Sequence, residues 1–188
     1  MLSRDHRQYF AYGENMHPEV MAARCAGAEV LGIGRLDGFR LGFFNHSGRW
    51  DGALESVVQE PGSTVFGVLY RLEFGEGETL DDYLDARLDG LGSHFHYPVD
   101  VILEDGSCTD ALIYMMSDMG PARAPSAEYL GFLAEAARLN GLPGPYIEQL
   151  SAHASRPARY PVPRIGQGPA AGGCDGCGDW RDELRERA

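Results

Sequence analysis

The chain contains no lysine. All 16 of its basic residues are arginine, set against 28 acidic residues, for a formal net charge of −12 over 188 residues. That absence excludes a catalytic lysine, whether as Schiff base or as phosphate-loop cation. The acidity, with arginines scattered rather than clustered, argues against a nucleic-acid partner. Cysteine is scarce: Cys25, Cys108, Cys174 and Cys177 are too few for a disulfide scaffold in a chain of this length. Cys25 and Cys108 stand among apolar neighbours and read as buried thiols. No apolar run approaches a membrane span, and the first residues carry no signal-like core. The expectation is a soluble cytoplasmic protein with a small-molecule ligand and no membrane partner.

What is present begins at Tyr9-Phe10-Ala11-Tyr12-Gly13-Glu14-Asn15-Met16. An aromatic strand runs into a glycine turn, and His17-Pro18 opens a helix. Proline suits the first helical turn, because its fixed φ matches and its missing N–H would be orphaned there anyway. The N–H groups of Gly13, Glu14 and Asn15 are expected to point outward and hold a carboxylate or a developing oxyanion. By itself such a turn is equally a plain strand-to-helix connection.

Further along, short strands with tight connections predict an antiparallel core. Strands are expected over 28–36 and 40–45, broken by an Asp37-Gly38 turn. Two more are expected over 53–59 and 64–72, around Glu60-Pro61-Gly62-Ser63. Residues 45–52 read as a loop. Leu80, Leu84 and Leu88 share one face of a helix over 78–88, which Asp89-Gly90 ends. Strands follow over 95–103 and 108–116, joined at Asp105-Gly106. Ser126 is placed to cap a helix whose buried stripe includes Tyr129, Leu130 and Leu133, and Asn140-Gly141 stops it. A shorter helix is expected over 145–153.

Three segments, in order, carry a family resemblance: the Tyr12-Gly13-Glu14-Asn15 loop, Asp89 before Gly90, and Pro125-Ser126-x-x-Tyr129 leading to Asn140-Gly141-Leu142-Pro143-x-x-Tyr146. Together they resemble the γ-glutamylcyclotransferase family, with its AIG2-like and BtrG-like members, over about residues 9–153. The resemblance implies an α+β fold, a small mixed β-barrel with flanking helices, for a domain over residues 1–154. It also implies a reaction without cofactor or metal. The α-amino group of a γ-glutamyl amide attacks its own γ-carbonyl, releasing 5-oxoproline and a free amine. The motif matches place substrate binding on Tyr12, Gly13, Glu14, Asn15, Met16 and Tyr129, and the acid/base on Asp89. Two positions depart from the family pattern: Glu14 stands where serine is usual, and Asp89 is one methylene shorter than the usual glutamate. Glu14 is therefore an alternative working carboxylate, and a non-catalytic γ-glutamyl or 5-oxoproline binder is an alternative function. Extra negative charge at Glu14 predicts a preference for a cationic leaving amine.

Tyr129 and Tyr146 also read as ordinary core anchors. His94 and His96 alternate on a strand and share a face, without an evident third metal ligand. Residues 155–188 are rich in proline and glycine and read as a tail that wraps the domain, ending in a charged helix over 179–187. Cys174-x-x-Cys177 is half of a zinc-ribbon pattern. A homodimer is left open.

Overall fold

The computed structural model describes residues 6–87 and 89–164. Leu88, Cys174, Cys177 and the expected terminal helix lie outside these. Five strands close a barrel in the order β1-β3-β2-β4-β5. They are β1 (His6–Ala11), β2 (Glu29–Ser47), β3 (Gly52–Glu73), β4 (His94–Leu103) and β5 (Cys108–Met116). Neighbours run antiparallel except β1 and β5, which meet in parallel where Tyr9 lies opposite Leu112. The fold is the expected α+β arrangement: a small mixed barrel flanked by α1 (Pro18–Arg24), α2 (Phe74–Tyr83), α3 (Ala127–Leu139) and α4 (Gly144–Ser151). Phe10, Val57, Leu69, Val101 and Ile113 are fully or almost fully buried in one continuous core. Among the described residues no helix is long and apolar enough to cross a membrane.

Local chemistry sets most boundaries. The Ser126 hydroxyl accepts the Tyr129 N–H at 3.2 Å and starts α3, an arrangement whose loss to alanine typically costs about 1 kcal/mol. Gly141, at φ +73°, turns the chain out of α3, and Leu142 N–H bonds back to Ala137 C=O. Gly106, at φ +82°, turns the β4–β5 hairpin.

Four expectations are corrected. Asp37-Gly38 is an irregularity inside one long strand, where the register jumps from Asp37 opposite Thr64 to Phe39 opposite Gln59. Gly38 alone faces the four residues 60–63, so the β2–β3 ladder continues through both predicted turns. The loop over 45–52 contracts to a tight turn, because Ser47 already pairs with Gly52. Helix α2 starts at Phe74, fixed by reciprocal Glu73 and Glu76 side-chain bonds, and ends at Tyr83. Cys108 is exposed at the start of β5, whereas Cys25 is buried as expected.

Candidate active site

The Gly13 segment leaves β1 at one end of the barrel. Its chain turns through a short 3₁₀ segment, Glu14–Met16, closed by Met16 N–H to Gly13 C=O at 2.9 Å, and then enters α1. A cavity of about 90 Å³ lies against this turn. Its walls come from β1, the turn after β2, β3, the end of α2, the start of β4, the end of β5, and α3. A larger cavity of about 500 Å³, between Arg7, Phe74, Val99 and Leu112, shares no lining residue with it.

The turn faces a carboxylate, that of Glu55. Glu14 N–H donates to Glu55 Oε1 at 2.9 Å, and the Tyr129 hydroxyl donates to Glu55 Oε2. A Cβ at residue 13 would overlap the Glu55 carboxyl group, so this approach requires glycine. Glu55 is half-buried. Desolvation pushes its pKa above the usual carboxylate range, while the hydrogen bonds from Tyr129 and the turn pull the other way and the nearby Glu14 charge adds to the rise. Burial and the Glu55 charge together hold the Tyr129 hydroxyl protonated, with a pKa well above its ordinary value.

Glu14 does not face the same space with a free carboxylate. Its Oε1 is paired with Arg49 Nη1 at 2.7 Å and Arg24 Nη2 at 3.2 Å. Both arginines also donate to the Tyr83 hydroxyl, at 2.9 Å from Arg49. Arg24 donates to Asn15 Oδ1, and Asn15 Nδ2 donates to the buried Tyr9 hydroxyl at 2.9 Å. The Tyr12 hydroxyl donates to Tyr114 C=O. Behind this wall, Arg7, His96 and the Tyr114 hydroxyl all reach Asp81 Oδ1, at 2.8, 2.7 and 2.5 Å. His94 Nδ1 lies 2.8 Å from Leu84 C=O. A carbonyl only accepts, so Nδ1 carries the hydrogen, and burial lowers this histidine's pKa.

Of the residues singled out from sequence, Tyr12, Gly13, Glu14, Asn15 and Tyr129 line the cavity. Met16 is fully buried in the core, and its carbonyl accepts the Asn140 side chain at 2.7 Å. Asp89 is not brought to the cavity. Its side chain is 50% exposed, lies 3.8 Å from Arg87, and accepts Leu91 N–H at 3.0 Å, the local turn chemistry that Asp-Gly favours. Tyr146 packs on Phe66, away from the Gly13 turn. His94 and His96 bond to different partners, and among the described residues no group of three or more His, Cys, Asp or Glu could hold a metal ion. Glu55, Arg49 and Arg24 were not legible as site residues. For Glu55 one signal existed: it alternates in phase with Ala53 and Val57, which are 1% and 0% exposed, so an acid falls on a core-facing row.

Known proteins resemble this chain in sequence and in fold. The AIG2-like family profile matches residues 64–150. Human γ-glutamylcyclotransferase is 30% identical over 148 residues, 77% of each chain. The crystal structure of an uncharacterized human protein superposes with a TM-score of 0.77 at 27% identity, covering 85% of this chain and 94% of that one. A solved structure named γ-glutamyl cyclotransferase shares the fold at a TM-score of 0.78 and 24% identity, covering 98% of this chain and all of that one. The chain belongs to the AIG2-like/γ-glutamylcyclotransferase family.

Proposed function

We propose that this protein is a γ-glutamyl cyclotransferase in which Glu55 carries the proton. Family membership supports a γ-glutamylcyclotransferase-type reaction in general. The observation that carries the assignment of Glu55 is its half-buried carboxylate at the glycine turn, held by Glu14 N–H and the Tyr129 hydroxyl. Two neutral donors orient the carboxylate without cancelling its charge, and burial raises its affinity for a proton.

The substrate amine is protonated near neutral pH and cannot attack until it gives that proton up. In this reading Glu55 takes the proton from the α-ammonium. The freed nitrogen forms a bond to the γ-carbonyl carbon of the same molecule, and the ring closes to 5-oxoproline. The original γ-amide C–N bond breaks as Glu55 returns that proton to the departing nitrogen, and the second proton of the ring nitrogen passes through the same carboxylate to the freed amine, which leaves as an ammonium while the lactam nitrogen keeps one hydrogen. Because nucleophile and electrophile share one molecule, holding the chain in its folded-back conformation supplies much of the acceleration.

The test is release of 5-oxoproline from γ-glutamyl-alanine by wild type, Glu55→Gln and Asp89→Asn. Glu55→Gln is expected to lose roughly 10²–10⁴-fold in rate, the usual worth of a general acid/base. Asp89→Asn is expected to stay close to wild type, since its carboxylate serves a surface turn. The opposite ranking would move the proton carrier to Asp89. Saturable binding of 5-oxoproline by a wild type that turns over no γ-glutamyl amide would leave the binding-protein alternative in its place.

A further inference from the structure

We propose that the larger cavity, at the seam where β1 meets β5 and β4, is a second binding site, and that its ligand is an organic cation: an ammonium group carried on an apolar body. The site is separate from the cyclotransferase reading and uses neither Glu55 nor the Gly13 turn.

The cavity arises from the way the barrel closes. β4 and β5 are laddered from His94 to Ile102, whereas β1 and β5 pair at a single position, Tyr9 opposite Leu112. Before Tyr9 the seam is held by side chains, with the Thr109 hydroxyl donating to Gln8 Oε1 at 3.0 Å. The space left there is about 500 Å³, within the size range of small-molecule pockets. Pro98, Val99, Ala111 and Leu112 give it apolar walls. Phe74, at the start of α2, also lines it, and that residue is 60% exposed. A large apolar side chain standing open beside an apolar hollow gains from a ligand that covers it.

The register of β4 on β5 sets the sign of that ligand's charge. Asp100 lies directly opposite Asp110, next to the Pro98–Leu112 pair on the same face. Both acids are exposed and both line the cavity. Facing side chains in an antiparallel ladder stand about 5 Å apart, and like charges so placed repel. The basic side chains of the cavity are turned to other acids: Arg7 is held by Asp81 at 2.8 Å, and His6 lies 3.4 Å from Glu73. Among the described residues no cation pairs with Asp100 or Asp110. An ammonium seated between the two carboxylates relieves their opposition while its apolar body fills the hollow. A bare metal ion fits poorly. Among the described residues no group of three or more His, Cys, Asp or Glu could hold one, and apolar walls offer no oxygen ligands. An anion would be repelled, and a neutral apolar molecule would leave the carboxylate pair uncompensated.

The probe is tryptamine, with tryptophol as its neutral counterpart and indole-3-acetate as an anionic one. Calorimetry on the full chain would compare wild type, Asp100→Asn, Asp110→Asn and the double variant. Methyl NMR of Val99, Ala111 and Leu112 would locate the bound probe. Wild type is expected to bind tryptamine roughly 10-fold more tightly than tryptophol, the worth of a charge-assisted hydrogen bond, and to bind indole-3-acetate more weakly than either. Each single variant should shrink the preference for tryptamine, and the double variant should bind tryptamine and tryptophol alike. Asp110→Asn without ligand should raise the Tm slightly, because it ends the opposition of like charges. These affinities do not depend on turnover, so failure of the cyclotransferase reading would leave them unchanged. Equal affinity of wild type for tryptamine and tryptophol, an unchanged preference in the double variant, or tryptamine shifts that bypass the Val99 and Leu112 methyls would overturn the proposal. Sedimentation as a dimer that Phe74→Ser dissolves would give this face to a second copy of the chain and overturn it as well.

Discussion

Asp51 and Glu55 stand four residues apart on the same turn and strand, and both are drawn out of solvent, yet their surroundings differ in kind. The Asp51 side chain has no exposed surface and is met by Arg159 at 2.7 Å, Arg156 at 3.3 Å and the Arg159 backbone N–H at 2.6 Å. Those hydrogen bonds and charges hold its carboxyl far below the usual range. Around it, residues 156–164 fold back along the wall of the site: the Tyr160 hydroxyl donates to Gly48 C=O at 2.6 Å and Arg164 N–H to Arg49 C=O at 3.0 Å. Glu55 instead receives a backbone N–H and a phenol, and burial raises its pKa. The difference teaches that the charge of the partners, more than burial, decides what an enclosed acid does. Cations make Asp51 a brace for the turn that carries Arg49 and Trp50. Neutral donors leave Glu55 able to exchange a proton.

The comparison can be broken by exchanging the two outcomes. The largest expected effect is the loss of turnover in Glu55→Gln with binding of 5-oxoproline retained; a structural acid would instead lose both together. Next in size is Asp51→Asn, which keeps the shape and tolerates the local φ of +48°. It removes the charge from two arginines and is expected to lower the Tm by several degrees in a thermal melt. An unchanged Tm would deny the brace. The acid limb sharpens the contrast further. The folded pKa of Asp51 lies below its ordinary 3.8. Its contribution is thus present in full above that pH and disappears as pH falls below it. Wild type and Asp51→Asn should therefore differ by a constant amount above pH 4 and draw steadily closer as pH falls below it. The smallest effect has the opposite sign. Glu55, with a raised pKa, favours the fold while protonated, and that contribution is lost as pH rises through its folded pKa. Glu55→Gln should accordingly melt slightly higher than wild type at pH 7, with the gain fading as pH falls toward 4.5 and gone below it, the stability cost expected of a functional acid.

The sequence makes the Gly13 turn, the α1 start, the Ser126 cap and the Asn140-Gly141 stop legible because each is written in adjacent residues. The long β2–β3 ladder was divided in two because Asp37-Gly38 and Pro61-Gly62 are ordinary turn signals, and only pairing between strands shows that the ladder runs past them. Asp89 drew attention through a dipeptide whose observed work is local, a bond from its carboxylate to Leu91 N–H. Glu55 reaches Glu14 across 41 positions and Tyr129 across 74. Asp51 meets Arg156 and Arg159 across 105 and 108. No local pattern encodes such meetings. A strand reading of Ala53-Leu54-Glu55-Ser56-Val57 leaves open which alternate row faces inward, because Ser56 is as buried as Val57.

The most direct test of Glu55 as the proton carrier is a carbon-detected NMR titration of the Glu55 and Asp51 carboxyl groups in the same wild-type sample. A Glu55 midpoint above its ordinary 4.5, with Asp51 still ionised below 3.8, is the predicted result. A Glu55 midpoint at or below 4.5 would contradict it.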